Sequence, residues 1–306
     1  MAESSKRLFK EPLNDNFGFY YTIDKSLYKG RTKFQEIEMV ETAEFGTTLL
    51  LDNITQVVEK NEWQYHEPMV HPAMCSHPNP RNVLVIGGGD GGILREVLKY
   101  PSVEHVDFAE LDSEVVEFSR KYLFKMNENS FDDPRVSVQI TDGRSWVEQH
   151  PGQYDIVIMD MTDPFGPSKF LYTKQFFTAI KRSFRNAKGL FVMHSESPIS
   201  RPVAFNCIVR TLRSVFKNVT PLYTYIQMYA VLWSMCVSSD GIAIANKTAP
   251  SINKRLSTYG IKKLKVFTGE SLVAMRTPYP YIEEILKRRV RLITDKNPDF
   301  PDNFIK

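Results

Sequence analysis

One stretch constrains this chain more than any other. Val83-Leu-Val-Ile, a continuous apolar run, leads directly into Gly87-Gly88-Gly89-Asp90-Gly91-Gly92, and helical spacing follows over residues 93–100. Glycine lets a backbone turn sharply and come close to a ligand. The loop contains G-x-G-x-x-G as Gly87, Gly89 and Gly92, and its strand–loop–helix setting is what makes that match informative. The alternation continues downstream. Apolar strands are predicted at 106–109, 136–140, 155–159 and 190–193, and helices at 113–122, 173–184 and 203–216. Strands alternating with helices imply an α/β fold, a Rossmann-type, mostly parallel sheet with helices on both faces. Ligands of such sheets bind at the carboxyl ends of the strands.

The chain before residue 60 reads differently. Short β-like runs at 19–23, 34–41, 47–51 and 55–58 are separated by turn-type pieces such as Tyr28-Lys-Gly-Arg. This predicts a small β-rich N-terminal domain over residues 1–66 and a catalytic domain over 67–306. A helix is expected to begin near Glu62, and His77-Pro-Asn-Pro-Arg81 is a rigid break. A length of 306 residues suits about two domains.

Charge excludes some classes of partner. The net charge is +3, but residues 241–306 hold 13 Lys+Arg against 6 Asp+Glu, leaving 26 against 30 in the larger part. Nothing there suggests nucleic acid held by bulk charge, and Lys287-Arg-Arg-Val-Arg291 reads as a solvated helix face. Three scattered cysteines without C-x-x-C spacing argue against a disulfide framework or a zinc ribbon. The N-terminus has no apolar signal-peptide core, and the most apolar stretch, 225–237, is too short to span a bilayer. A cytoplasmic protein without membrane or nucleic-acid partners is expected.

The strand ends carry the chemistry. Glu110 ends the second strand about twenty residues beyond the glycine loop, where an acid accepts from ribose hydroxyls. Asp142-Gly143 ends the third, placed to accept from an adenine amino group. The ligand is then a dinucleotide or a nucleoside such as S-adenosylmethionine. Asp90 narrows the choice. At about 4 Å, like charges cost about 1–4 kcal/mol in partly wet surroundings. A carboxylate in the loop therefore disfavours a pyrophosphate or a ligand carboxylate and suits decarboxylated S-adenosylmethionine, unless Asp90 only caps the helix. After the fourth strand, Asp160-Met-Thr-Asp163-Pro164-Phe-Gly166-Pro167 places two carboxylates where they can face one spot. Such a pair binds ammonium groups or takes a proton as general base. Hard cations also want oxygens, but no further ligands stand at suitable spacing, and no metal is expected. Asp163 as a helix cap is the structural alternative.

These residues resemble the polyamine aminopropyltransferases, the spermidine synthase family. The resemblance runs through Arg31-x-x-Phe34-Gln35-Glu36-Ile37, Leu51-Asp52, Glu62-x-x-Tyr65-His66-Glu67, the 86–92 loop, Leu94-Arg95-Glu96, Glu110-x-Asp112, Asp142-Gly143 and Asp160-x-x-Asp163-Pro164-x-Gly166-Pro167. It implies a β-rich domain followed by a methyltransferase-like sheet. It also implies transfer of the aminopropyl group of decarboxylated S-adenosylmethionine, a co-substrate rather than a cofactor, to a polyamine acceptor, releasing 5′-methylthioadenosine. Asp160 would accept the proton, assisted by Tyr65. Asp90 and Asp163 would hold amines, and His66 would line their pocket. Gln35, Gly87, Gly89, Glu110, Asp142, Gly143 and Pro167 would hold the nucleoside. A homodimer or homotetramer is implied as well.

The late segment Ile226-Gln-Met-Tyr229-Ala230-Val-Leu-Trp233 departs from the Pro-Thr-Tyr-x-x-Gly-like loop usual in spermidine-forming members. Tyr229 and Trp233 are read as acceptor-pocket residues; Trp233 is either an apolar or cation–π wall or a buried sheet residue. His194-Ser-Glu196-Ser-Pro198 differs from commoner Gln-containing versions, with Glu196 either contacting a distal amine or capping a helix. Putrescine is the leading acceptor; spermidine and agmatine are the alternatives. An amine N-methyltransferase and a non-catalytic nucleoside-binding protein are the rival classes.

Overall fold

The computed structural model describes residues 6–164 and 166–301. Strands β1 (Arg7–Asn14) and β2 (Phe17–Ile23) form an antiparallel ribbon. Strands β3 (Lys25–Arg31), β4 (Glu36–Thr42), β5 (Gly46–Leu51) and β6 (Ile54–Val58) form a four-stranded antiparallel sheet in that order. Two sequence expectations need correction here. Tyr28-Lys-Gly-Arg lies inside β3 rather than in a turn, and β1 was not foreseen. Both strands lie at sheet edges, where charged residues and proline are tolerated. Neither shows an apolar alternation strong enough to read, and the ribbon register shifts between Pro12 and Asn14.

Helix α1 (Trp63–Ser76) is buried from Tyr65 to Ser76. It runs across residue 66, where the two domains were expected to meet. Its buried face and its ends both touch protein, as expected of a helix enclosed in a core.

The central sheet has the strand order β12-β13-β11-β10-β7-β8-β9. Strands β7 (Asn82–Gly87), β8 (His105–Glu110), β9 (Val136–Ile140), β10 (Ile156–Asp160) and β11 (Leu190–His194) run parallel. The hairpin β12 (Asn218–Ile226) and β13 (Val231–Ser239) extends the edge antiparallel, and the most apolar stretch of the sequence forms it. Alternate residues of β7 and β10 enter opposite cores. Val83, Val85, Ile156 and Ile158 join one with Met69 and Met74 of α1, while Leu84, Ile86, Val157 and Met159 join the other with Phe176 and Phe205. A sheet covered on both faces has this signature.

The covering helices are α2 (Gly92–Leu98), α3 (Ser113–Tyr122), α4 (Phe124–Asn127), α5 (Gly143–Gln149), α6 (Lys174–Ser183) and α7 (Pro202–Arg213). Then come α8 (Ala249–Thr258), α9 (Gly269–Met275) and α10 (Pro280–Lys287). Because α10 ends at Lys287, Arg288, Arg289 and Arg291 follow the helix and do not share its face, contrary to the sequence expectation. No helix among the described residues is long and apolar enough to cross a membrane.

The chain leaves β7 toward β8 and β9 on one side and later lays β10 and β11 on the other. The switch point therefore lies between β7 and β10, where Gly87 pairs in register with Asp160.

Candidate active site

A cavity of about 1130 Å³ opens at this switch point. The glycine loop forms its floor. Gly87 has φ +73° and Gly88 φ +70°, in the left-handed region that favours glycine. The Gly88 amide donates to the Asp160 carbonyl at 2.8 Å. A Cβ at Gly87 would strike that same carbonyl, and one at Gly92 would strike the His66 ring. The loop is thus clamped between β10 and α1.

At one end of the cavity lie Gln35, Glu110, Asp142 and Gly143, with Gly87 and Gly89 beside them. Burial raises the Glu110 carboxyl to about 7, against the hydrogen bonds it accepts. Its Oε1 accepts from the Asp112 amide at 2.9 Å. Asp112, which caps α3, receives Thr32 Oγ1 at 2.6 Å and Gln35 Nε2 at 3.2 Å. The bend before β4 thereby ties the N-terminal sheet to the end of β8. Asp142 caps α5 through the Ser145 amide at 2.8 Å, which leaves its second oxygen uncommitted by that bond. The side chain of Pro167 lies outside the described residues.

The other end is a cluster of charges. Tyr65 donates its hydroxyl proton to Asp160 Oδ1 at 2.6 Å. Burial, reinforced by the Asp90 charge, raises Asp160 to about 6. Asp90 is buried and lines the cavity; its Oδ1 accepts from the Gly92 amide at 2.6 Å and lies 3.3 Å from His66 Nε2. It therefore both caps a turn and faces the ligand space. The other imidazole nitrogen, His66 Nδ1, is 2.6 Å from Glu62 Oε2, and Arg95 forks onto both oxygens of Glu62 at 2.9 and 2.8 Å.

Each nitrogen of His66 thus meets a carboxylate, which only accepts, so the ring carries both protons. Burial alone would lower its pKa, but Asp90 and Glu62 outweigh that and raise it to about 10. Burial would likewise raise Asp90; the neighbouring imidazolium holds it below the ordinary carboxylate range. The anion in the loop is consequently partly offset, which tempers its repulsion of a ligand carboxylate.

Ligand atoms of His66, Asp90 and Asp160 lie within 4.8 Å of one another. With both ring nitrogens protonated and bonded to carboxylates, His66 offers no lone pair to a metal.

Asp163 also lines the cavity, but its Oδ2 receives Arg201 Nη1 at 2.7 Å. The expected carboxylate pair is therefore one carboxylate bonded to Tyr65 and one held in an ion pair with Arg201. Glu196 is fully buried behind that ion pair, its Oε2 3.4 Å from Arg201 Nη1. Tyr229 and Trp233 form a wall. Tyr229 stands edge-on to Tyr65 at 6.2 Å and packs on Trp233 at 4.9 Å, and Trp233 stacks on His194 at 5.7 Å. Trp233 is a buried residue of β13 and also lines the cavity.

The structure thus gathers Tyr65, His66, Asp90, Asp160, Asp163, Tyr229 and Trp233 around one end of a single cavity. Among the charged residues that line it, sequence reasoning missed Lys10, Glu11, Arg144 and Arg201. Nothing in the pattern of β1 marks Glu11. Arg201 carries one signal, a cation at the start of a helix, where the dipole disfavours it.

Residues 62–249 match the family model described as the spermine/spermidine synthase domain. The chain belongs to the spermine/spermidine synthase family. Residues 8–59 match a second model, the spermidine synthase tetramerisation domain. Among curated relatives, the polyamine aminopropyltransferase of Nitrosomonas europaea is 36% identical over 94% of this chain and 88% of its own length. That of Bacillus subtilis is 37% identical over 85% of this chain and 95% of its own. The crystal structure of spermidine synthase from Thermotoga maritima aligns with TM-score 0.86 and 31% identity, covering 93% of this chain and 96% of that one. A spermidine synthase crystallised with the transition-state analogue AdoDATO aligns with TM-score 0.87 and 32% identity, covering 94% and 98%. Membership in the spermine/spermidine synthase family makes the chain an aminopropyl-transferring enzyme of polyamine biosynthesis.

Proposed function

We propose that the chain transfers the aminopropyl group of decarboxylated S-adenosylmethionine to putrescine, forming spermidine and releasing 5′-methylthioadenosine. The observation that carries this reading is Asp160. It is a carboxylate raised to about 6, bonded to Tyr65, set across the sheet register from the glycine loop and beside Asp90. An amine that is protonated at neutral pH cannot attack carbon. Asp160 binds the ammonium, takes its proton and frees the lone pair, and Tyr65 holds the acceptor oxygen in place. The amine nitrogen then attacks the methylene beside the sulfonium; the new C–N bond forms as the C–S bond breaks, and the sulfur leaves neutral. Asp90 holds the ammonium at the far end of the aminopropyl group. Gln35, Glu110, Asp142 and Gly143 hold the nucleoside. The match of residues 8–59 to a tetramerisation domain supports a homo-oligomer.

Product analysis tests this reading. The chain is incubated with the decarboxylated donor and, separately, putrescine, cadaverine, agmatine and spermidine. Spermidine and methylthioadenosine in equal amounts are expected from putrescine. Methylated amines from intact S-adenosylmethionine, or no transfer to any diamine, would overturn it.

A further inference from the structure

Arg201 brings a positive charge to a cavity wall that also carries Glu11, Asp160 and Asp163. It lines the cavity, is 9% exposed, and donates from Nη1 to Asp163 Oδ2 at 2.7 Å and to Glu196 Oε2 at 3.4 Å. It stands just before Pro202 at the start of α7, where the helix dipole opposes a cation. Behind it, Glu196 is fully buried with φ +69°, a left-handed conformation that a residue other than glycine adopts only at a cost. Burying an ion pair is a poor route to stability, because apolar residues of similar volume often serve as well. A strained, buried acid holding a guanidinium against the wall of a ligand cavity therefore points to a role in recognition.

We propose that Arg201, held by Glu196, sets the charge of the acceptor, so that the site takes a dicationic diamine in preference to a tricationic triamine. This rests on the reading that this end of the cavity receives the acceptor amine. Asp160 and Asp163 each attract an ammonium group, and Glu11 adds a third carboxyl on the cavity wall. With Arg201 against Asp163, one of those attractions is cancelled. A second ammonium still finds a partner. A third meets the field of the guanidinium in place of a free carboxylate. Glu196 tunes the device by taking back part of the positive charge.

Two substitutions test this with opposite expected signs. The measured quantity is kcat/KM for spermidine divided by kcat/KM for putrescine, with decarboxylated S-adenosylmethionine as donor. Arg201→Gln frees Asp163 and should raise the ratio about tenfold, a 1.4 kcal/mol change in preference. Glu196→Gln leaves Arg201 more positive and should lower the ratio by about threefold or more. A purely structural role would depress both activities together and leave the ratio alone. Methylthioadenosine binding and thermal melting report the fold of each variant. If Arg201→Gln does not fold, Glu196→Gln decides alone. A ratio that stays within twofold in both variants, or moves the same way in both, overturns the proposal. Absence of transfer to putrescine in the unsubstituted enzyme would instead overturn the reading of function on which it rests.

Discussion

Asp160 and Asp90 are both buried carboxylates near one imidazolium, yet their affinities for a proton are pushed apart. Asp160 is raised to about 6 while Asp90 is held low, because the latter alone is in contact with His66. Separated affinities fit the separate roles proposed for them, Asp90 as a standing anion and Asp160 as the group that cycles a proton. Asp160→Asn should lower kcat by about 10²–10⁴ and leave methylthioadenosine affinity within about twofold, measured by steady-state kinetics and calorimetry. In the unsubstituted enzyme kcat/KM should fall as pH drops through about 6, where Asp160 gains its proton and cannot take another. A flat profile from pH 5 to 8 would remove it as the base. Asp90→Asn should weaken the decarboxylated donor about tenfold or more and methylthioadenosine much less, since only the donor bears an ammonium. Equal weakening would refute the charge argument.

Between β12 and β13 the chain reverses through Gln227–Tyr229 and then Ala230, whose φ is +52°. Alanine in this left-handed region costs about 1 kcal/mol. The strain fixes Tyr229, whose hydroxyl donates to the Gln56 carbonyl at 3.2 Å, against Trp233. Ala230→Gly should therefore raise stability by up to about 1 kcal/mol in denaturant unfolding, with a smaller gain if the freed chain loses order.

At the same scale one can see what the sequence carried and what it hid. Asp160, Glu110, Asp142 and the glycine loop were legible because strand ends of a parallel sheet converge and apolar runs mark them. Strands β1 and β3 were not: the buried face of β1 is Phe9, Glu11 and Leu13, with a carboxylate in the middle of it, and β3 has no fully buried residue. Arg201 and Asp163 lie 38 residues apart, and no local spacing announces a pair that only tertiary packing creates. Tyr65 and His66 could be placed by family resemblance alone, as α1 is buried all round and shows no distinctive face.

The whole molecule depends on the N-terminal strands closing over the sheet that carries the glycine loop. Glu11 of β1 accepts from the Thr55 amide at 3.0 Å and from the Thr55 hydroxyl, and so stitches the ribbon to β6. Burial raises its carboxyl from 4.5 to about 7, against those hydrogen bonds. Between those values the folded chain keeps a proton that the unfolded chain releases. Its contribution to stability is therefore largest below about 4.5, declines as pH rises to about 7, and is lost above that. Glu11→Gln keeps an accepting oxygen and removes the buried charge. The variant should melt like the parent at pH 4.5 and above it at pH 8, by up to about 3 kcal/mol. An equal melting difference at both pH values would show that the carboxyl does not titrate in this window.

The guanidinium at the cavity wall also bears on how turnover ends. Each transfer leaves the amine with one more nitrogen, and so one more proton, than it brought in. The polyamine formed is heavier in charge than the one admitted, and in the proposed role the repulsion by which Arg201 keeps such a molecule out also speeds its departure. Eviction and admission then share a single residue. On the proposed reading turnover ends after one addition, because the finished molecule no longer suits the room in which it was made.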